Sequence, residues 1–297
     1  MSELEFDFPG LEVGVAEYEE GPTGCTVFHF PNGGAMVERD VRGGSPGLFG
    51  DLDWVDAICL AGGSLYGLEA AAGVAAELFD RRGRDTSWQS IADVTGAIIF
   101  DFGPRQTSVY PDKELGRAAL RAAVEGRFPR GRRGAGRSAT VGKTFGLERG
   151  EPGGQGGAVR RVGGIRVGVF TVVNAVGAIV DRDGNVVRGH LDTATGTRHR
   201  LVEGIEARMA GTPVHGNTTL TVVVTDQKLD RWPLRQLGRQ VHASMARAIH
   251  PFHALTDGDV LFAATTNAVT DASVDSLTLG VVASELAWDA VLAAVAD

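Results

Sequence analysis

Cysteine is almost missing: the 297 residues hold two, Cys25 and Cys59, in separate apolar runs with no C-x-x-C spacing. That excludes a disulfide framework, and the lack of clustered histidines excludes a zinc site; buried free thiols in a reducing cytoplasm are expected. Positive charge is also short, 29 Lys plus Arg against 37 Asp plus Glu for a net of -8. Neither a nucleic-acid backbone nor an anionic membrane is therefore an expected partner. No apolar run approaches the roughly 18 residues of a membrane span, and Met1 to Gly10 is acidic, without the basic and apolar regions of a signal peptide. What the chain has in excess is glycine, 42 residues, about twice the usual share of about 7%. With 43% hydrophobic residues and no G-X-Y period, those glycines must serve turns, close packing or a site rather than a collagen-like or disordered chain.

Short β-like runs fill the first hundred residues: Leu11 to Ala16, Cys25 to Phe30, Val55 to Leu60 and Gly96 to Phe102. A helix is expected after Ser64, which offers an N-cap, through the Ala-rich stretch Ala70 to Phe79. The Gly62-Gly63 pair before it either turns its N–H groups toward a ligand or another chain segment, or makes a tight strand-to-helix turn. A second helix is expected from Lys113 to Val124, opened by Pro111-Asp112. Residues 126–164 are Gly- and Arg-rich, and read as a linker or a set of functional loops. Further strands are expected at Ile165 to Val173 and Gly177 to Asp181, with a weak helix near Leu201 to Met209. Beyond Gly216 the pattern gives a strand Thr218 to Thr225, a helix carrying Leu234, Leu237, Val241 and Met245 on one face, a strand Asp259 to Thr265, and a C-terminal helix. A layered α/β sandwich fits best, and the length allows one large domain or two small ones.

Four motifs bear on chemistry. Gly136 to Thr144 resembles a phosphate loop but has Arg137 where the pattern requires glycine, so nucleotide binding is set aside; Lys143, a lone lysine beside Gly142, stays of interest. His215-Gly216-Asn217-Thr218-Thr219 passes directly into a β-branched run. Were the chain cut before Thr218, the threonine hydroxyl would lie beside a free α-amine, a usable general base at neutral pH. The cut can be self-made, by attack of Thr218 Oγ on the Asn217 carbonyl through a five-membered ring; the bland alternative is a threonine-rich edge strand. Asp257-Gly258-Asp259 enters a strand, where residues two apart point the same way, so its carboxylates can converge on one spot or simply form a turn. No other acidic cluster completes a metal shell. Asn174, in an apolar strand, is an oxyanion donor or a satisfied core amide.

Together these segments resemble the self-processing L-aminopeptidase/D-esterase family, and within it the nylon-oligomer-degrading branch. The resemblance runs from about Phe6 to Val291, through Phe6-Asp7-Phe8-Pro9-Gly10, Tyr18 to Gly24, Ile58-Cys59-Leu60-Ala61-Gly62-Gly63, Val109 to Lys113, Gly216-Asn217-Thr218-Thr219, Gln240-Val241-His242 and Asp257-Gly258-Asp259. It implies an N-terminal-nucleophile-hydrolase-like αββα sandwich, autocleaved into chains 1–217 and 218–297 that stay associated. It also implies Thr218 as nucleophile, Asp257 and Asp259 orienting it, Lys143 and Asn174 in the same site, no cofactor, a small oligoamide substrate and a homotetramer of processed units. The aminopeptidase branch typically has Gly-Ser at the scissile bond, so Asn217-Thr218 favours amide-oligomer hydrolysis over action on small amino-acid derivatives. One departure is Phe100, where relatives carry a tyrosine before the Asp-Phe pair.

Overall fold

A computed structural model describes residues 3–105, 107–207, 209 and 216–296. Its β-branched runs build two six-stranded sheets. The first has the order Gly154–Val162, Ile165–Asn174, Thr218–Gln227, Val260–Val269, Ala35–Val41, Trp54–Val55. Neighbours are antiparallel except the central pair Thr218–Gln227 and Val260–Val269, which is parallel. The second has the order Leu48–Phe49, Val94–Ile98, Ala57–Ala61, Thr23–His29, Glu12–Tyr18, Val124–Glu125.

Along Thr218–Gln227 every residue is buried, which is why the run is mostly threonine and valine and carries no charge before Asp226. Leu220, Val222 and Val224 face the second sheet, meeting Phe28, Leu60, Phe170 and Phe262 in a core between the sheets. Val223 points the other way, to the helices α4 (Arg231–Ser244) and α5 (Ser276–Ala294). On the outer face of the second sheet lie α1 (Glu69–Arg81) and α2 (Lys113–Arg121), packed through Ala70, Val74, Leu115 and Ala119. The layers are thus helix, sheet, sheet, helix, the expected αββα sandwich.

Several local expectations need correction. Ser64 is not an N-cap: it sits at φ +52 and opens a 3₁₀ turn, Ser64–Leu68, that runs into α1. Of the alternatives for Gly62 and Gly63, their N–H groups face other chain segments, donating to Gly24 O at 3.0 Å and to Asp101 Oδ1 at 2.9 Å. α2 stops at Arg121 because Val124–Glu125 leaves to pair with the edge of the second sheet; its start is as read, with Asp112 Oδ1 accepting from the Leu115 N–H at 2.9 Å. Residues 126–164 are not a linker: they hold the edge strand Gly154–Val162, where Gly154 and Gly156 let α5 lie within contact of the backbone. α3 covers Leu201–Glu206, and residues 210–215, His215 among them, lie outside the described residues. α5 is, among the described residues, the one helix long and apolar enough to cross a membrane, contrary to the reading of apolar runs. Its apolar face fills the core, and its outer Glu285 and Asp289 pair with Arg182 and Arg247, so it is a core helix.

Candidate active site

Gly216 leads into the central strand at φ +86, a conformation open to glycine and costly for other residues. Asn217 and Thr218 follow, both buried, and Thr218 lies in register with Asn174 on the neighbouring strand. The Asn217 carbonyl is the focus of the local hydrogen bonding. It accepts from the Gly258 N–H at 2.9 Å, and the Thr218 hydroxyl makes a close contact with the same oxygen. Asn217 also forms a parallel bridge with Asp257. A Cβ at position 258 would stand 2.8 Å from Thr218 Oγ1 and 2.8 Å from Ser45 O, so the glycine of the Asp-Gly-Asp triplet is what admits the loop to the 217–218 bond.

The two aspartates lie just before the strand, which starts at Val260, and each holds a different backbone N–H beside that bond. Asp259 Oδ1 accepts from the Thr219 N–H at 2.7 Å, and Oδ2 accepts from the backbone N–H of His253 and contacts its Nδ1, both at 3.1 Å. Asp257 Oδ1 accepts from the Val176 N–H at 3.3 Å while its buried Oδ2 has no hydrogen-bond partner. Burial, and then the neighbouring Asp259 charge, push the Asp257 carboxyl up to about 7.

Lys143 is buried too, its ammonium donating to Asn174 O at 3.2 Å and Oδ1 at 3.3 Å. Burial brings it down to about 7 against the opposing pull of Asp257 and Asp101. Its backbone is fixed by N–H bonds from Gly142 to Gly177 O and from Lys143 to Val176 O, both 2.7 Å; these N–H groups cradle no phosphate. Asn174 is satisfied at both ends: Oδ1 also accepts from the Thr140 N–H at 3.0 Å, and Nδ2 donates to Phe100 O at 2.9 Å. Thr218, Asp257, Asp259, Lys143 and Asn174 are therefore brought together.

Three participants escaped the sequence reading. The Gly258 N–H is a backbone donor inside a triplet that reads as a turn. His253 holds Asp259 from a left-handed conformation, φ +60, that no spacing announces. Asp101 is buried and bound by Gly63, Ser138 and Arg105, and its carboxyl is raised by burial. Its neighbour Phe100 lines a cavity of about 560 Å³ with Ser45, Ser64, Phe102, Leu255 and Gly216. Among the described residues no group of His, Cys, Asp and Glu could hold a metal ion.

The sequence profile of peptidase family S58 matches residues 6–297. This chain belongs to peptidase family S58. Its S58 relatives include a 6-aminohexanoate-oligomer endohydrolase of Paenarthrobacter ureafaciens, 48% identical over 98% of this chain and 85% of that protein. A putative NylC-analogous protein of Agromyces sp. (strain KY5R) is also 48% identical, over 98% of this chain and 99% of its own length. Among solved structures, the L-aminopeptidase D-Ala-esterase/amidase of Ochrobactrum anthropi, described as a variant of the Ntn hydrolase fold, superposes with a TM-score of 0.72 at 18% identity, over 98% of this chain and 85% of that one. The S58 chain described here is thus an Ntn-fold hydrolase of amide bonds.

Proposed function

We propose that the chain cuts itself between Asn217 and Thr218 and that the processed enzyme hydrolyses internal amide bonds of 6-aminohexanoate oligomers, bonds flanked by uncharged methylene segments, through a threonyl acyl-ester. The observation that carries this is the Asn217 carbonyl, held by the Gly258 N–H at 2.9 Å with the Thr218 hydroxyl against it. Thr218 Oγ adds to the Asn217 carbonyl carbon while the Asp257 carboxylate, whose Oδ2 is otherwise unpartnered, takes the hydroxyl proton. Gly258 steadies the oxyanion. The C–N bond then breaks, the proton passes to the departing Thr218 nitrogen, and water hydrolyses the ester to leave an Asn217 carboxylate and a free Thr218.

In turnover the new α-amine accepts the Thr218 hydroxyl proton as Oγ attacks the substrate carbonyl, which takes the place of the Asn217 carbonyl under Gly258. The leaving amine receives that proton, an ester forms, and water releases the acid. Lys143, tuned to about 7, and Asn174 set the field around the oxyanion and keep Phe100 in place.

The choice of an internal, uncharged amide rests on the cavity. The described residues that line it are apolar or hydroxylic and carry no charge, so nothing there pairs with the free ammonium that an aminopeptidase must hold. A homotetramer of processed units in a reducing cytoplasm belongs to the same proposal, supported by the resemblance and by the two buried free thiols. Intact mass spectrometry tests processing: two chains split after Asn217 are expected, and one chain in Thr218→Ala. A wild-type chain that stays whole on long incubation overturns the proposal. Product analysis on 6-aminohexanoate oligomers beside β-alanyl dipeptides tests the substrate, and preference for the dipeptides would favour the aminopeptidase reading.

A further inference from the structure

The wall of the cavity continues outward. Ser64 and Phe102 line it, and the residues next to Ser64 in sequence, Leu65 and Tyr66, are 53% and 64% exposed. The Tyr66 ring stacks on Phe102, centroids 5.8 Å apart and planes at 21°, and meets Tyr110 on its other side at 5.7 Å. Both neighbours are anchored from behind. The Arg105 guanidinium lies 4.5 Å over the Phe102 ring and is itself paired with buried Asp101 at 3.3 Å, and the Tyr110 hydroxyl donates to Glu69 at 3.2 Å. Such an aromatic surface is costly to leave facing water.

We propose that Leu65, Tyr66, Phe102 and Tyr110 form an outer binding subsite, on which the uncharged methylene-amide segments of a longer oligoamide lie while one of its amides is at Thr218. The inference rests on the function proposed above and adds where the rest of the substrate goes. Continuity with the cavity through Ser64 and Phe102 favours the substrate as occupant over a second copy of the chain. Flat aromatic faces suit an alternating methylene-amide chain, because the methylenes bury apolar area on the rings while the amides stay solvated.

The test compares the processed wild type with Tyr66→Ser and Tyr66→Phe on two substrates: an N-capped single 6-aminohexanoyl anilide, confined to the cavity, and an N-capped linear tetramer. Tyr66→Ser is expected to lower kcat/KM for the tetramer about tenfold, through KM, with the anilide unchanged, and Tyr66→Phe to keep wild-type values on both. Equal loss on both substrates, or no loss on the tetramer, overturns the subsite. So does a Tyr66→Ser enzyme with altered mass in light scattering and unchanged length preference, which would assign the shelf to a contact between copies. A wild type that splits and cleaves the anilide without any length-dependent loss in the variant defeats the subsite alone, whereas a wild type that neither splits nor cleaves defeats the function reading beneath it.

Discussion

Lys143 and Asp257 titrate near each other's range, from opposite directions and for one reason: both are buried, and burial disfavours whichever form is charged. If Asp257 takes the Thr218 proton, it must be ionised, so the rate of chain splitting should rise as pH climbs through about 7. Lys143→Met removes the cation that holds the Asp257 carboxyl down, so the rising limb should move to higher pH; time courses of splitting in refolded precursor at several pH values check both. The stability signs differ between the two. The folded Asp257 keeps a proton that an unfolded chain releases, so its contribution to stability falls as pH rises from 3.8 to about 7. The folded Lys143 has lost a proton that the unfolded chain keeps, so its contribution recovers as pH rises from about 7 to 10.5. Gly258→Ala places a methyl carbon 2.8 Å from both Thr218 Oγ1 and the Ser45 carbonyl. It should destabilise the fold by about 1–3 kcal/mol and slow splitting by at least about 100-fold as the Gly258 donor shifts, read by chemical denaturation and intact mass.

At the scale of elements, the bond at 217–218 divides the chain but not the sheet. Thr218–Gln227 pairs with Ile165–Asn174, and Val260–Val269 pairs with Ala35–Val41, so segments from before and after the bond interleave. α5, from the second segment, packs on Gly154–Val162 from the first. Processed chains should therefore co-elute in size exclusion and part only in denaturant; separation under native conditions would contradict the arrangement. The elements most legible from sequence were those of this central region, because a strand buried on both faces shows as an uninterrupted β-branched run. Two strands of the same sheet were not legible. Ala35–Val41 carries Glu38 and Asp40, paired by Arg231, Arg235 and His242 from α4, and Arg39, paired with Asp51, while in Gly154–Val162 four of nine residues are glycine or alanine and helix α5 presses on Gly154 and Gly156. In each case a tertiary neighbour explains a composition that looks wrong for a strand.

Across the whole molecule, three cores stack in the order α1/α2 with the second sheet, sheet with sheet, and first sheet with α4/α5. Cys25 and Cys59 belong to the first of these, under α1 and α2, and both are buried. The hydrogen bond with Cys59, followed by burial, raises the Cys25 thiol well above its ordinary range. Neither cysteine should react with a thiol reagent such as DTNB in the folded protein, and both should react in denaturant; rapid labelling of the native protein would count against this packing.

The sequence by itself determined the class of the fold, the family and the identity of five residues that meet at one bond, because long motifs and a doubly buried strand are written in residue order. What it could not settle was how those residues meet. Asp257 and Asp259 took different backbone partners, Asn174 turned its amide to Phe100, and the carbonyl of Asn217 found its donor in a backbone N–H. A backbone hydrogen carries no sequence signature, and a left-handed histidine at 253 exists only because the loop around it closes that way. Burial, which moves the titration of Lys143 and Asp257 to neutrality, is likewise a property of the packed layers and not of the residues that they enclose.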